Sequence, residues 1–245
     1  MTVHFVGAGP GAADLLTVRA TRLLASADVV LYPGTYLDPE VLSHVSPDAE
    51  LVDTQDLDLD QITERLVSGG DVVRLVSGDP SVYSALAEQT RRLDAAGVAW
   101  DVTPGVPAYA AAAAEVGREL TVPLLAQSVV LTRTRARSTA MPESESLTAF
   151  ARTGATLVLH LAITRTRELM AEIAPEYGAD CPVVVVHRAS QPEQQVLRGT
   201  VATIADAVEA AGLRQAAVIL VGRALDPRPG GESYLYDPAR VRNAH

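Results

Sequence analysis

The sequence contains no lysine: all 20 of its basic residues are arginine, which rules out a Schiff-base lysine and the lysine of a P-loop. Cysteine is nearly absent as well. The single one, Cys181, has no partner for an internal disulfide and no neighbouring thiol ligand, so a small buried hydrophobe is expected there. Five histidines (His4, His44, His160, His187 and His245) show no metal-binding spacing, and no metal site is expected. His4, His160 and His187 fall in apolar runs and are expected as hydrogen-bonded core residues. The strongly apolar runs stay well short of the ~20 residues that span a bilayer, and the start shows no basic region followed by a long apolar core. A soluble cytoplasmic protein is the expectation. Positive charge is scarce overall: the formal net charge of −10 argues against a general nucleic-acid partner. The deficit is uneven, however. Residues 1–132 carry 7 arginines against 18 acids, and residues 133–245 carry 13 against 12, so an anionic ligand is expected to meet mainly arginines of the second half.

What is present is a regular alternation. At 245 residues the chain has room for one large or two small domains, each with a core. Short β-branched runs at 3–6, 29–32, 51–53, 72–76 and 99–103 alternate with amphipathic stretches at 14–26, 39–45, 59–68, 82–96 and 107–117, which predicts a parallel α/β sheet. From about residue 121 the rhythm changes. Apolar runs at 128–132, 156–161, 182–187, 195–199 and 216–222 are separated by fewer helices, at 146–151, 164–174 and 204–211, which predicts a mixed sheet. The economical account is an α/β protein of two α/β domains, 1–120 and 121–225. Residues 133–145 read as a polar, mobile loop and residues 226–245 as a tail ordered at most in part.

The densest local signal is the start, Val3-His4-Phe5-Val6-Gly7-Ala8-Gly9-Pro10-Gly11, an apolar strand running into alternating glycines. Glycine there lets backbone approach a ligand at the carboxyl end of the first strand, where open α/β sheets keep their sites. Gly7, Gly9 and Ala12 satisfy a loose dinucleotide pattern, but Pro10 removes a donor from the centre of the turn and Asp28 precedes the next apolar run instead of ending it. A nicotinamide site and a turn that only packs helix on strand both stay open. Further loops follow predicted strands. Ser77-Gly78-Asp79-Pro80-Ser81-Val82-Tyr83 offers Asp79 and Ser81 as caps for the next helix; Thr103-Pro104-Gly105-Val106-Pro107-Ala108 opens an alanine-rich helix; His187-Arg188-Ala189-Ser190 closes a strand of the second half.

Together these residues resemble the tetrapyrrole methylase family, S-adenosylmethionine-dependent enzymes of cobalamin and sirohaem synthesis. Gly9-Pro10-Gly11 with residues 15–20 (Leu-Leu-Thr-Val-Arg-Ala) matches its first signature, and Val72-Val73-Arg74-Leu75-Val76-Ser77-Gly78-Asp79 with Tyr83 its second. Within the family, Gly117-Arg118-Glu119-Leu120-Thr121, Val130-Leu131-Thr132-Arg133, His187-Arg188-Ala189-Ser190 and residues 194–199 look like the branch that methylates precorrin-4, or its cobalt form, at C11. The resemblance covers roughly residues 2–224. It departs from the family pattern at Ala12-Ala13-Asp14 and at Leu161-Ala162, next to the adenosyl pocket.

The resemblance implies two α/β domains in a homodimer, with the methyl donor, S-adenosylmethionine, folded between them and S-adenosylhomocysteine as product. Carried over by position, Pro10, Ser77, Gly78, Asp79, Val82, Pro107, Ala108, Leu161 and Ala189 are expected to touch the donor. A methyl on a sulfonium is already a good electrophile, so the protein has chiefly to bring a ring carbon into line at about 3 to 3.5 Å. Catalysis by orientation and desolvation, without a general base, is the expectation. A precorrin carries many carboxylates, which guanidinium groups match in bidentate fashion, and Arg118, Arg133, Arg135, Arg137 and Arg188 are the candidates to bind this small-molecule tetrapyrrole. Methylation of another precorrin carbon or of uroporphyrinogen III, an NAD(P)-dependent oxidoreductase, and a nucleotide-binding regulator remain alternatives.

Overall fold

A computed structural model of the chain describes residues 1–34, 37–134 and 141–226. Arg135, Arg137 and the tail from residue 227 lie outside the described residues. The chain divides into two compact units. One comprises Met1–Ala111 with Arg188–Glu193, the other Ala112–His187 with the chain from Gln194 onward.

In the first unit, strands β1 (Thr2–Gly7), β2 (Val29–Tyr32), β3 (Glu50–Asp53), β4 (Asp71–Val76) and β5 (Ala99–Thr103) form one sheet of order β3-β2-β4-β1-β5, parallel throughout. The central strands are largely apolar because both faces are covered, with His4 in β1 and Arg74 in β4 as exceptions. Val6, Val30, Val73 and Leu75 pack on α1 (Val18–Ser26), while Val3, Phe5, Leu31 and Val72 pack on α2 (Leu59–Leu66) and α3 (Leu86–Ala95). The crossover from β1 to β2 runs over one face and that from β4 to β5 over the other. β1 and β4 are neighbours, so the strand order reverses between them, and open α/β sheets keep their sites at such a carboxyl edge. Helix starts follow the side chains expected of caps: Thr17 Oγ1 accepts from Ala20 N at 3.1 Å, and Asp58 with Gln61 closes a reciprocal capping box on α2.

The division between units falls within α4 (Ala108–Val116). In the second unit, β6 (Val129–Arg133), β7 (Thr156–His160), β8 (Pro182–His187), β9 (Gln195–Thr200) and β10 (Ala217–Val221) form a sheet of order β6-β7-β10-β8-β9. Only β6 and β7 pair in parallel, so the sheet is mixed, as the sparser helices predict. Leu157, Leu159, Val183, Val185 and Ile219 build its core against α5 (Leu147–Ala151), α6 (Thr166–Tyr177) and α7 (Ile204–Ala210). Cys181 is fully buried here, and burial pushes its thiol up to about 11, which matches the expected inert hydrophobe. Among the described residues, no helix is long and apolar enough to cross a membrane.

Four element boundaries differ from expectation, each for a local reason. The helix expected over 14–26 is split into a single 3₁₀ turn, Ala13–Leu15, and α1, because Leu16 stays extended and Thr17 starts a new helix. Pro39–His44 is likewise 3₁₀. α3 begins at Leu86 rather than at 82, since Tyr83 (φ +54°) and Ala85 (φ +56°) hold left-handed backbone that an α-helix cannot include. α6 runs past Pro175, because a ring in the last turn removes one donor while Gly178 N still reaches Ala174 O at 3.0 Å.

The second unit's core yields a direct expectation. Leu159 is fully buried in β7. Leu159→Ala should lower stability by about 2–5 kcal/mol through lost burial and a residual cavity, measured as a fall in the urea midpoint at unchanged slope.

Candidate functional site

The loops after β1, β4 and β5 meet at the carboxyl edge of the first sheet. Gly9 and Gly78 form an antiparallel bridge, Gly78 N donating to Gly9 O at 2.8 Å and Gly9 N to Gly78 O at 3.2 Å. A Cβ on Gly105 would lie 2.2 Å from Gly78 O and 2.8 Å from Gly7 Cα. Only glycine fits there, because backbone meets backbone. At Gly7 and Gly105 the missing side chain lets the loops approach each other and build one platform.

Asp79 clasps this platform. Its Oδ2 accepts from Gly105 N at 2.8 Å, and its Oδ1 accepts from Ser81 N at 2.8 Å and from the Ser81 hydroxyl. Burial by itself pushes the carboxyl up, but these donors outweigh it and hold the group below the usual carboxylate range. Asp79 and Ser81 therefore do not cap α3, whose N-cap position is Ala85 without a side-chain bond. Both oxygens of Asp79 are engaged, Oδ2 joining its loop to the one after β5 and Oδ1 bracing its own turn.

The segment Arg188–Glu193 returns to this same unit and holds the first loop from its other side. Gln191 Nε2 donates to Pro10 O at 3.0 Å, and Ser190 Oγ accepts from Ala12 N at 3.1 Å. Gly11 has no side chain to obstruct Gln191, whose Cγ would lie 2.2 Å from an added Cβ. Pro10, Ser77, Gly78, Asp79, Val82, Pro107, Ala108 and Ala189 all belong to this unit, on the loops just described or at the start of α4. Leu161 belongs to the second unit, directly after β7.

Two kinds of cost concentrate on these loops. Of seven non-glycine residues with positive φ among the described residues, five are Tyr83, Ala85, Leu161, Arg188 and Ser190, each of which carries strain on the order of 1–3 kcal/mol. Tyr83 and Leu161 are also large apolar residues at 47% and 65% exposure. Ser77 adds a polar signal: its Oγ is buried and has no hydrogen-bond partner among the described residues. Within the first unit, the strained backbone, the exposed Tyr83 ring and the orphaned Ser77 hydroxyl fit a ligand that is part apolar and part polar.

The arginines divide. Arg118, just after α4, has a buried Nε with no hydrogen-bond partner and makes no ion pair among the described residues. Arg188 is paired with Glu193 at 3.2 Å. Arg133 ends β6. Arg118 and Arg133 lie in the second unit and Arg188 in the first. Of the histidines, His4 bonds Asp101 on the neighbouring strand at 2.9 Å, and burial holds His160 below the usual imidazole range.

Sequence reasoning placed Gly105 and Ser190 on site-bearing loops without giving either a role, and it passed over Gln191. Gly105 had a readable signal, a proline-flanked glycine after a strand. Gln191 had none, being an ordinary polar residue whose partner Pro10 is 181 positions away.

Comparison with known proteins places these features. The chain is 53% identical to the precorrin-4 C(11)-methyltransferase of Rhodococcus erythropolis over 249 residues, covering 100% of both. Its structure is similar to that of a cobalt precorrin-4 methyltransferase of cobalamin biosynthesis, with a TM-score of 0.88, 39% identity and 92% and 96% of the two chains covered. It is also similar to a uroporphyrin-III C-methyltransferase from Thermus thermophilus complexed with S-adenosylhomocysteine, with a TM-score of 0.78, 29% identity and 92% and 93% covered. The model of the tetrapyrrole (corrin/porphyrin) methylases matches residues 2–205, and the chain belongs to that family.

Proposed function

We propose that the chain is an S-adenosylmethionine-dependent C-methyltransferase that methylates precorrin-4, or its cobalt form, at C11 on the way to cobalamin, acting in the cytoplasm as a homodimer. The observation that carries the reading is the glycine platform of the first unit, where loops after β1, β4 and β5 lock together beside the orphaned Ser77 hydroxyl. A relative of the same branch over its full length supports the substrate.

When bound, the donor would supply an electrophilic methyl on a sulfonium. The residues that would hold it are Pro10, Ser77, Gly78, Val82, Pro107, Ala108 and Ala189, with Leu161 from the second unit. Ser77 has a free hydroxyl to give, and Val82, Tyr83 and Leu161 offer apolar surface. Asp79 acts through the others: with both oxygens engaged it keeps the loops joined and is unsuited to taking a proton. No base is needed in the first step, because the protein's task is to orient a ring carbon and exclude water. Arg118 is the best-placed guanidinium for a precorrin carboxylate, since no described acid competes for it.

Incubation with precorrin-4 and a methyl-labelled donor should place the label at C11; label at another carbon, or none, overturns the reading. Calorimetry should show binding of S-adenosylhomocysteine and none of NAD.

Arg118→Glu should weaken tetrapyrrole binding about 10- to 100-fold, the equivalent of one charge-assisted hydrogen bond, while donor affinity stays within about twofold. Equal loss of both ligands counts against the assignment.

Asp79→Asn would present an amide donor to the Gly105 N–H or to Ser81, so about 1–3 kcal/mol of stability should be lost at pH 7. The folded-state pKa of Asp79 is depressed, so its contribution is fully present above the unfolded value of about 3.9 and disappears as pH falls through the lower folded value. The stability difference between wild type and Asp79→Asn should therefore be flat from neutrality down to about pH 5 and shrink below about pH 4, as read from urea titrations at each pH.

A further inference from the structure

Arg74 lies on β4 just before the platform loop and is 9% exposed, on the face that α3 covers. It makes no ion pair among the described residues. Its Nε donates to Gln89 Oε1 at 3.2 Å and its Nη1 to the carbonyl of Leu75 at 3.0 Å. Burial lowers its pKa to about 10, still far above neutrality, so a full charge sits inside the unit without an acid. A methionine or leucine would fill such a place without that desolvation cost. The hydrogen bonds show what the arginine does instead.

Gln89 is 2% exposed on α3 and can turn only one way. Arginine has donors and no acceptor, so Gln89 must present its oxygen to Arg74 and its amide nitrogen to the other side. That nitrogen donates to the carbonyls of Ser84 at 3.4 Å and Ala85 at 3.2 Å. The Ser84 hydroxyl then donates to Pro80 O, next to the Asp79 clasp. The segment so gripped contains Tyr83 and Ala85, both left-handed, and α3 has no side-chain cap to hold it from outside. An apolar side chain at 74 would leave the Gln89 amide without its orienting partner and the two carbonyls without a fixed side-chain donor, Ala85 O keeping only the backbone Gln89 N at 3.3 Å.

We propose that Arg74 and Gln89 are positioning residues for the methyl donor: through Ser84 and Ala85, the buried pair locks the 80–85 loop in the left-handed shape that presents Val82 and Tyr83. This rests on the reading of that loop as part of the donor site. Neither residue is asked to touch the donor.

The test compares Gln89→Glu and Ser84→Ala with the wild type in calorimetric titration with S-adenosylhomocysteine, thermal melting and amide hydrogen exchange. Gln89→Glu gives the Arg74 guanidinium an acid but deletes the side-chain donor to both loop carbonyls, leaving Ala85 O only the backbone N–H of residue 89 at 3.3 Å. If the pair serves only to settle a buried charge, this variant melts at or above the wild-type temperature and binds as the wild type does. If it positions the loop, affinity falls at least about tenfold (about 1.4 kcal/mol) with the melting midpoint within a few degrees, and amides 82–85 exchange faster. Ser84→Ala removes a half-exposed hydroxyl that the fold tolerates, and it should weaken binding about threefold; it carries the test alone if Gln89→Glu does not fold. Wild-type affinity in the folded variants overturns the proposal. Failure of the wild type itself to bind S-adenosylhomocysteine instead removes the donor reading beneath it.

Discussion

The contact of bare backbone at Gly7, Gly78 and Gly105 is the constraint from which the rest of the first unit's site follows. A Cβ at Gly7 would lie 2.5 Å from Gly105 Cα, well inside van der Waals contact, so these loops can share one platform only while positions 7 and 105 carry no side chain. Once they share it, Gly9 and Gly78 pair as a miniature ladder, and Gly105 N falls within reach of Asp79. The loops then have little freedom left. A platform held by backbone contacts and one carboxylate is rigid before any ligand arrives, which suits a reaction whose demand on the protein is placement.

Rigidity at that edge is bought with local strain, compensated elsewhere in the fold. Tyr83, Ala85, Arg188 and Ser190 hold left-handed backbone, and each is kept there by a neighbour in the same unit: Gln89 and the Asp79 turn on one side, the Ser190 bond to Ala12 and the Gln191 bond to Pro10 on the other. Beneath them lies a sheet whose central strands are apolar on both faces, stable enough to bear the cost. In the second unit Leu161 is a left-handed and mostly exposed leucine directly after a buried strand, and Leu124 and Ala216 are left-handed as well.

Much of the architecture was readable from residue order. The β-branched runs became strands within a residue or two, and the fewer helices between them after residue 121 foretold the mixed second sheet. The errors lay where backbone conformation departs from what composition suggests. The stretch from 82 reads as helix because nothing in Val-Tyr-Ser-Ala announces left-handed backbone, and Asp79 reads as a cap because an acid before a helix usually is one. The glycines were recognised as meaningful, but their purpose was assigned to a ligand when part of it is to let loops touch. The five candidate arginines looked equivalent by charge, yet Arg188 has Glu193 beside it and Arg118 has no such acid.

The sequence by itself determined the elements, their alternation and the presence of site-bearing loops at strand ends, because periodicity and glycine placement are local properties that act within a few residues. Tertiary structure alone decided which loops meet. Gly105 finds Asp79, Gln191 finds Pro10 and Arg74 finds Gln89 only after β1, β4 and β5 align side by side and the 188–193 segment folds back. Those partners are chosen by strand order and packing, and no short-range pattern encodes a hydrogen bond between residues far apart in the chain.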